Sequence, residues 1–365
     1  MATTTNDTNV TDLWNLSTTL NTTSSFQNGS EQNQGEKNKG YVGMIIFMFI
    51  LALVLNFAAI FSLVRSSTYH KWSAFYRLLL CLTISDSVGT VTCFPVLLVT
   101  YAHDLEWQGG QPVCDYLGFM ISFVFLSSAS FVCAMSLERF IGVWAPFLYN
   151  DTETREHRTT ALMLLIWAVV FILALCPIFG FGDYVIQYPG SWCFYNFHSE
   201  GISKVYALLY SVIWLLVISC TVIFNSLVIA KLVKRVLDQK KKSQESGIKK
   251  TSSRTTRNEI FSMILLGVIV LVTLVCGIPL ALRAIANESG YEKNNKADLH
   301  ASRMATFNMI LDPLVYILFR RENLEALFKL FKRRKRRGGG ELASSSSDKV
   351  ATDTTNNTTG STNRI

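Results

Sequence analysis

Seven long apolar runs separated by polar connections organise the chain: about Tyr41 to Val64, Ala74 to Tyr101, Val113 to Val143, Ala161 to Phe181, Val205 to Leu232, Ile260 to Ala286 and Leu299 to Phe319. A bilayer core about 30 Å thick takes roughly 20 apolar residues of helix, and every run meets or approaches that length. Hydrocarbon offers no partner to a backbone N–H or C=O, so runs of this kind predict helices that pair those groups internally. Seven crossings put the two termini on opposite sides. The connections after runs one, three and five hold Arg65, Lys71, Arg155, Arg158, Lys234, Arg235, Lys240 to Lys242, Lys249, Lys250, Arg254 and Arg257, and Arg320 to Arg337 follow run seven. The opposite connections hold only Lys204, Lys293 and Lys296, so the excess of Lys and Arg predicts an outside N-terminus; Lys37 and Lys39 are a mild exception.

The flanks differ from the runs. Residues 1–40 are rich in Asn, Thr, Ser and Gln, with little to form a core, and read as a disordered outer tail. Asn6, Asn9, Asn15, Asn21 and Asn28 each begin an Asn-x-Ser/Thr acceptor for N-glycosylation, although a polar tail also makes such triplets by chance. No apolar signal core precedes them, so the first span is expected to direct insertion. Over 320–337, Leu324, Leu327, Phe328 and Phe331 alternate with cations, the pattern of a short amphipathic eighth helix on anionic lipid; a solvated basic tail is the plainer reading. Residues 338–365 form a Ser/Thr-rich tail open to phosphorylation.

Composition supports the membrane reading, because half of the 365 residues are apolar and only 16% are charged. The net charge of +8 lies between and after the spans, where it suits a cytoplasmic surface rather than nucleic acid. Of eight cysteines, six lie well inside apolar runs; Cys114, at the outer mouth of run three, and Cys193, in a polar connection, lie on one side of the membrane and form a candidate pair. An ionisable group at bilayer depth costs about 2.5 to 3.5 kcal/mol on insertion scales, which singles out the few present here. Run two carries Asp86, run three ends in Glu138-Arg139-Phe140, and run seven carries Arg303, Asn308 and Asp312 followed by Pro313. Asn308 and Asp312 share a helix face, whereas Arg303, nine residues before Asp312, lies about half a turn away and roughly 13 Å higher. Two sites follow: a deep cluster of Asp86, Asn308 and Asp312, and a cationic spot near the outer surface at Arg303, with Thr306 one turn below. The cluster reads either as a hydrogen-bonded brace or as a coupling or ion-binding site; Arg303 either serves a site or snorkels to headgroups. Glu138-Arg139, about 37 Å of helix below Cys114, can form a releasable ion pair at the inner face.

Together these residues resemble a rhodopsin-like G-protein-coupled receptor. The likeness rests on Asn56, Asp86, Cys114, Glu138-Arg139-Phe140, Pro279 and Asp312-Pro313-Leu314-Val315-Tyr316 in their joint order. Tyr188-Pro189-Gly190-Ser191-Trp192-Cys193-Phe194, Cys276-Gly277-Ile278-Pro279-Leu280 and Arg303 ten residues before Pro313 resemble the prostanoid receptors. The runs Gly109 to Tyr116 and Asn258 to Arg283 are most similar to prostaglandin E receptors of subtype four. At residue 309 this chain has Met where the family usually has Pro.

The resemblance implies an all-α seven-transmembrane bundle in the plasma membrane. It also implies a carboxylate lipid bound by Arg303 with Tyr101, Ser191, Trp192 and Thr306, and a Cys114–Cys193 disulfide that fixes the loop as a lid. Asp86, Ser128, Asn308 and Asp312 would form the mid-membrane polar cluster. Glu138, Arg139, Asp312, Pro313 and Tyr316 would form the switch facing a heterotrimeric G protein, with arrestin and receptor kinases acting on the tail. A prostaglandin of E type and stimulatory coupling to cyclic AMP are the first expectation; a prostacyclin-type or other prostanoid ligand with different coupling is the second. No metal or cofactor is expected. A transporter predicts repeated halves and an enzyme predicts a nucleophile motif such as Gly-x-Ser-x-Gly, and the chain carries neither.

Overall fold

In the computed structural model the described residues are 42–65, 74–145, 152–196, 200–246, 254–289 and 294–319. The five sequons, the segment 320–337 and the tail 338–365 lie outside them. Seven helices follow in order: α1 (Val42–Arg65), α2 (Ala74–Ala102), α3 (Gly110–Trp144), α4 (Thr152–Leu175), α5 (Gly201–Ser246), α6 (Arg254–Glu288) and α7 (Asn295–Phe319). A two-stranded hairpin, β1 (Tyr184–Gln187) and β2 (Trp192–Tyr195), stands between α4 and α5. Six of the helices are long and apolar enough to cross a membrane. The seventh, α7, falls outside that set, since Arg303, Asn308 and Asp312 interrupt its apolar run.

Helix α3 runs through the middle of the bundle. Of its most apolar window 78% is buried, against 17% for α1 and for α4, whose outward faces carry exposed Phe57, Phe61, Leu164 and Ile172. Apolar side chains on the outside and polar ones inside are what a lipid solvent selects. An upper apolar core joins α3, α5, α6, α7 and the hairpin around Leu117, Phe194, Tyr210 and Trp214. A lower core gathers Phe75, Leu78, Phe131, Leu266 and Tyr316.

The observed spans agree with the seven apolar runs in number and order; α4 begins at Thr152, ahead of its run at Ala161, α6 begins at Arg254, ahead of Ile260, and the largest difference is on α5. Helix α5 continues to Ser246, well past the end of its apolar run at Leu232. Hydropathy marks only the part within lipid, whereas Lys, Arg, Leu and Gln beyond it are good helix formers with no Gly or Pro to stop them. Much of the expected connection from Lys234 to Arg257 is therefore helical.

Candidate ligand and switch sites

All five residues expected to meet a ligand lie on one cavity. Tyr101 at the end of α2, Ser191 and Trp192 of the hairpin, and Arg303 and Thr306 of α7 line a space of about 900 Å³, mouth included. Apart from Ser302 its remaining walls are apolar, among them Met48 of α1, Phe94 and Leu97 of α2, and Ile121 and Phe125 of α3. The Arg303 guanidinium donates to the Tyr101 hydroxyl at 3.3 Å. Among the residues lining the cavity Arg303 alone carries a formal charge. Thr306 donates its hydroxyl to the Ser302 carbonyl one turn back, at 3.0 Å, which leaves it an acceptor toward the cavity. The Trp192 indole N–H is occupied by the Tyr188 carbonyl at 3.0 Å, so its ring serves the cavity as an apolar wall.

The hairpin is held over this cavity by three devices. A disulfide joins Cys114, in the first turns of α3, to Cys193 of β2, which pairs with Ile186 of β1. Gln111 donates to the Tyr184 carbonyl at 2.8 Å. The Tyr184 ring packs on α3 at Gly118, where a Cβ would fall 2.4 Å from the ring. The Tyr184 hydroxyl donates to the Ala174 carbonyl of α4 at 2.7 Å, and burial pushes its phenol up to about 12, so the proton stays in that bond at neutral pH. Gly118→Ala is expected to displace the ring and lift the hairpin, costing about 1 to 3 kcal/mol. Thermal stability and radioligand affinity in membranes should both fall, and Tyr184→Ala in the same chain should restore part of the affinity. Unchanged values for the single variant would refute this packing role.

At mid-membrane the structure brings the deep cluster together. Ser128 donates to Asp86 at 2.7 Å, Asn308 donates to Asp312 at 2.8 Å, and the two carboxylates are close enough to interact electrostatically. Asp86 is fully buried, and among the described residues Asp86 Oδ2 and Asp312 Oδ1 have no hydrogen-bond partner. A small cavity adjoins Asp86, Ser128 and Asn308, with Phe125 and Trp214 on its otherwise mostly apolar walls. The bonds supply the expected brace, while the uncommitted carboxylate oxygens leave the coupling or ion-binding alternative chemically open.

Three features escaped sequence reasoning. Pro313 has no N–H for the carbonyl of Met309 four residues back, and Asn56 of α1 donates to that carbonyl at 3.0 Å. Arg283 of α6 pairs with Asp298 of α7 at 2.7 Å and bonds Asn287 at 3.0 Å, tying two helices beside the cavity mouth. Trp214 and Phe125 stack at 6.0 Å between the two cavities. The proline rule signals the first; the other two join residues with no common pattern in the sequence.

At the opposite end of α3, Glu138 and Arg139 form an ion pair at 3.4 Å, and the guanidinium lies 4.4 Å over the Phe75 ring. Pro313 and Tyr316 are buried in α7, and Tyr316 joins the same lower apolar core as Phe75. Arg139 is thus held from two sides, by charge and by an aromatic face. The side chains of α6 from 254 to 261 lie outside the described residues.

The profile of the 7 transmembrane receptor (rhodopsin family) matches residues 30–316. The human prostaglandin E2 receptor EP4 subtype is 30% identical over 78% of this chain, and the match spans 65% of that receptor's own length. The thromboxane A2 receptor of Chlorocebus aethiops is 31% identical over 72% of the chain and 78% of that receptor. The rat prostacyclin receptor is 30% identical over 75% of the chain and 66% of that receptor. In shape, the crystal structure of squid rhodopsin superposes with a TM-score of 0.66 at 17% identity, covering 80% of this chain and 85% of the other, which supports the seven-helix fold. With the profile covering the bundle and prostaglandin E2, thromboxane A2 and prostacyclin receptors among its relatives, the chain belongs to the rhodopsin family of seven-transmembrane G-protein-coupled receptors and, within it, to the prostanoid receptors.

Proposed function

We propose that this receptor binds a prostaglandin, most readily of E type, from the outer side of the plasma membrane and activates a stimulatory heterotrimeric G protein that raises cyclic AMP. The observation that carries the reading is a single guanidinium, Arg303, the one charged group on the wall of a mostly apolar cavity. A carboxylate lipid matches both parts: the guanidinium takes the carboxylate in paired, charge-assisted hydrogen bonds, and the walls take the hydrocarbon. Tyr101 orients the guanidinium, Thr306 and Ser191 offer hydroxyls to polar groups on the ligand, and Trp192 covers it. The E type is favoured by the human EP4 relative; the 30% identity to the rat prostacyclin receptor supports a prostacyclin-type ligand as the second reading.

The bound ligand contacts α2, α3, α7 and the hairpin at once, so it favours whichever arrangement of the bundle fits it best. Arg139 is held by Glu138 and Phe75 and becomes available when the inner end of α6 moves away, and α7 carries both Arg303 and the deep Asp312 on one rigid element. The N-terminal tail with its sequons would face outward, and the Ser/Thr tail would meet arrestin and receptor kinases inside.

Cells expressing the chain should raise cyclic AMP on exposure to prostaglandin E2 at lower concentration than to other prostanoids. A surface-expressed receptor silent in cyclic AMP, its inhibition and calcium across the whole prostanoid panel would sink the proposal. A first response to a prostacyclin analogue would select the second reading.

A further inference from the structure

Phe125 is, among the described residues, the one side chain that lines both the upper cavity and the small cavity beside Asp86. Its ring therefore forms the partition between an apolar space and one that contains Asp86 and Asn308. The partition is two rings thick. Trp214 of α5, only 3% exposed, stacks on Phe125 with centroids 6.0 Å apart and planes 22° apart. The indole also abuts α6 at Gly277, where a Cβ would lie 3.7 Å from the Trp214 ring. A methyl group fits there; any longer side chain would project into the space the indole holds. Tyr210, one turn above on α5, meets the indole edge-on at 6.3 Å and is itself fixed by a hydrogen bond to the Ser122 carbonyl at 2.7 Å.

We propose that the stacked pair Phe125–Trp214 is the floor of the ligand cavity and sets the length of apolar tail that the receptor accepts. The inference rests on the reading of the upper cavity as a site for a carboxylate lipid. A ligand held at its carboxylate by Arg303 has the reach of its other end determined by its length, and the cavity ends at the Phe125 ring. The ring lies 11 residues along α3 from Cys114, roughly 16 Å deeper in the bundle. A tail of matching length ends against an aromatic face. One that is too long must bend back or force the rings apart, exposing hydrocarbon to a buried carboxylate oxygen that makes no hydrogen bond. Because the floor is a second ring packed into the space beside Gly277, rather than backbone, its depth is open to change by one substitution on α5.

Competition binding in membranes tests this, with a series of prostanoid carboxylates whose tails grow by single methylenes. Wild type should show an optimum length and lose affinity beyond it. In Trp214→Ala the optimum should move to tails at least two methylenes longer, since each methylene newly buried gains about fourfold and two gain about 15-fold. Gly277→Ala should keep the wild-type length profile. Trp214→Leu, which preserves an apolar filler, replaces the alanine variant if that one fails to reach the membrane, and should shift the optimum in the same direction by less. An unchanged length profile in variants that still bind the parent ligand overturns the floor and leaves the proposed function standing. If wild type and every variant bind no carboxylate lipid, the proposed function and the floor fall together.

Discussion

Arg303→Ala is expected to weaken a carboxylate prostanoid about 100-fold while its methyl ester loses little. The reason is local. Among the residues that line the cavity only Arg303 carries a formal charge, so the anion would have no second ionic partner there. A hydrogen bond to a charged group contributes about 1.5 to 3 kcal/mol, and truncating one side of a hydrogen-bonded charge pair costs about 2 to 5 kcal/mol. The guanidinium lies toward the open mouth, beside Tyr101, so the lower half of that range applies and gives a loss of about two decades. The ester keeps the hydrocarbon contacts with Phe94, Leu97, Ile121 and Phe125 but never had the full ionic term. Parallel measurement of both ligands on wild type and variant therefore isolates the charge from the packing. Equal loss for acid and ester would mean that Arg303 shapes the cavity rather than binds the anion.

Cys193→Ala is expected to remove high-affinity binding and lower thermal stability, because the disulfide anchors the strand next to two lid residues. Ser191 and Trp192 immediately precede Cys193, and both are at least 95% buried over the cavity. Closing a loop of 79 residues would contribute about 4.5 kcal/mol by the chain-entropy account. Membrane insertion already confines the reduced chain, so about 2 kcal/mol, near the low end of the usual range, is the better expectation. The pair gives a sharper test than either residue alone. Cys114→Ala should match Cys193→Ala in both affinity and melting temperature, and the double variant should add nothing further, as for two halves of one bond. Additive losses would show that each thiol acts through separate contacts.

Much of this architecture was legible in the chain before any coordinates. Seven runs of bilayer length became seven helices, since a segment in lipid must satisfy its own backbone and the helix does so using local sequence alone. The pairing of Asn308 with Asp312 followed from their four-residue spacing on one face. Separation of Arg303 from Asp312 followed from helical rise and rotation, and the structure places Arg303 on the upper cavity and Asp312 in the deep cluster. Hydropathy, by contrast, stopped short on α5, whose cationic extension to Ser246 is helical for reasons of propensity rather than solvent.

The candidate site was only partly legible. Arg303 and Thr306 were singled out by charge and helical spacing and Tyr101, Ser191 and Trp192 by resemblance, and their convergence on one cavity is a fact of the bundle. Phe125 and Trp214 read in sequence as ordinary apolar residues of α3 and α5, and no local pattern announces that their rings stack. Arg283 and Asp298 lie 15 residues apart across a connection, so only the antiparallel meeting of α6 and α7 makes them a pair.

By itself, then, the sequence determined the number of spans, their boundaries to within a few turns except on α5, the faces on which polar residues sit, and the carbonyl that Pro313 must leave without its helical donor. These depend on hydropathy, helical periodicity and proline chemistry, all of which act over one element at a time. Tertiary structure alone decided who answers those demands: Asn56 for the Met309 carbonyl, Phe75 for Arg139, and Gly118 as the notch that receives Tyr184. Such partners stand on different helices, and lipid solvates every apolar helix face almost equally well. Which faces meet is therefore set by close packing and by the few hydrogen bonds between helices.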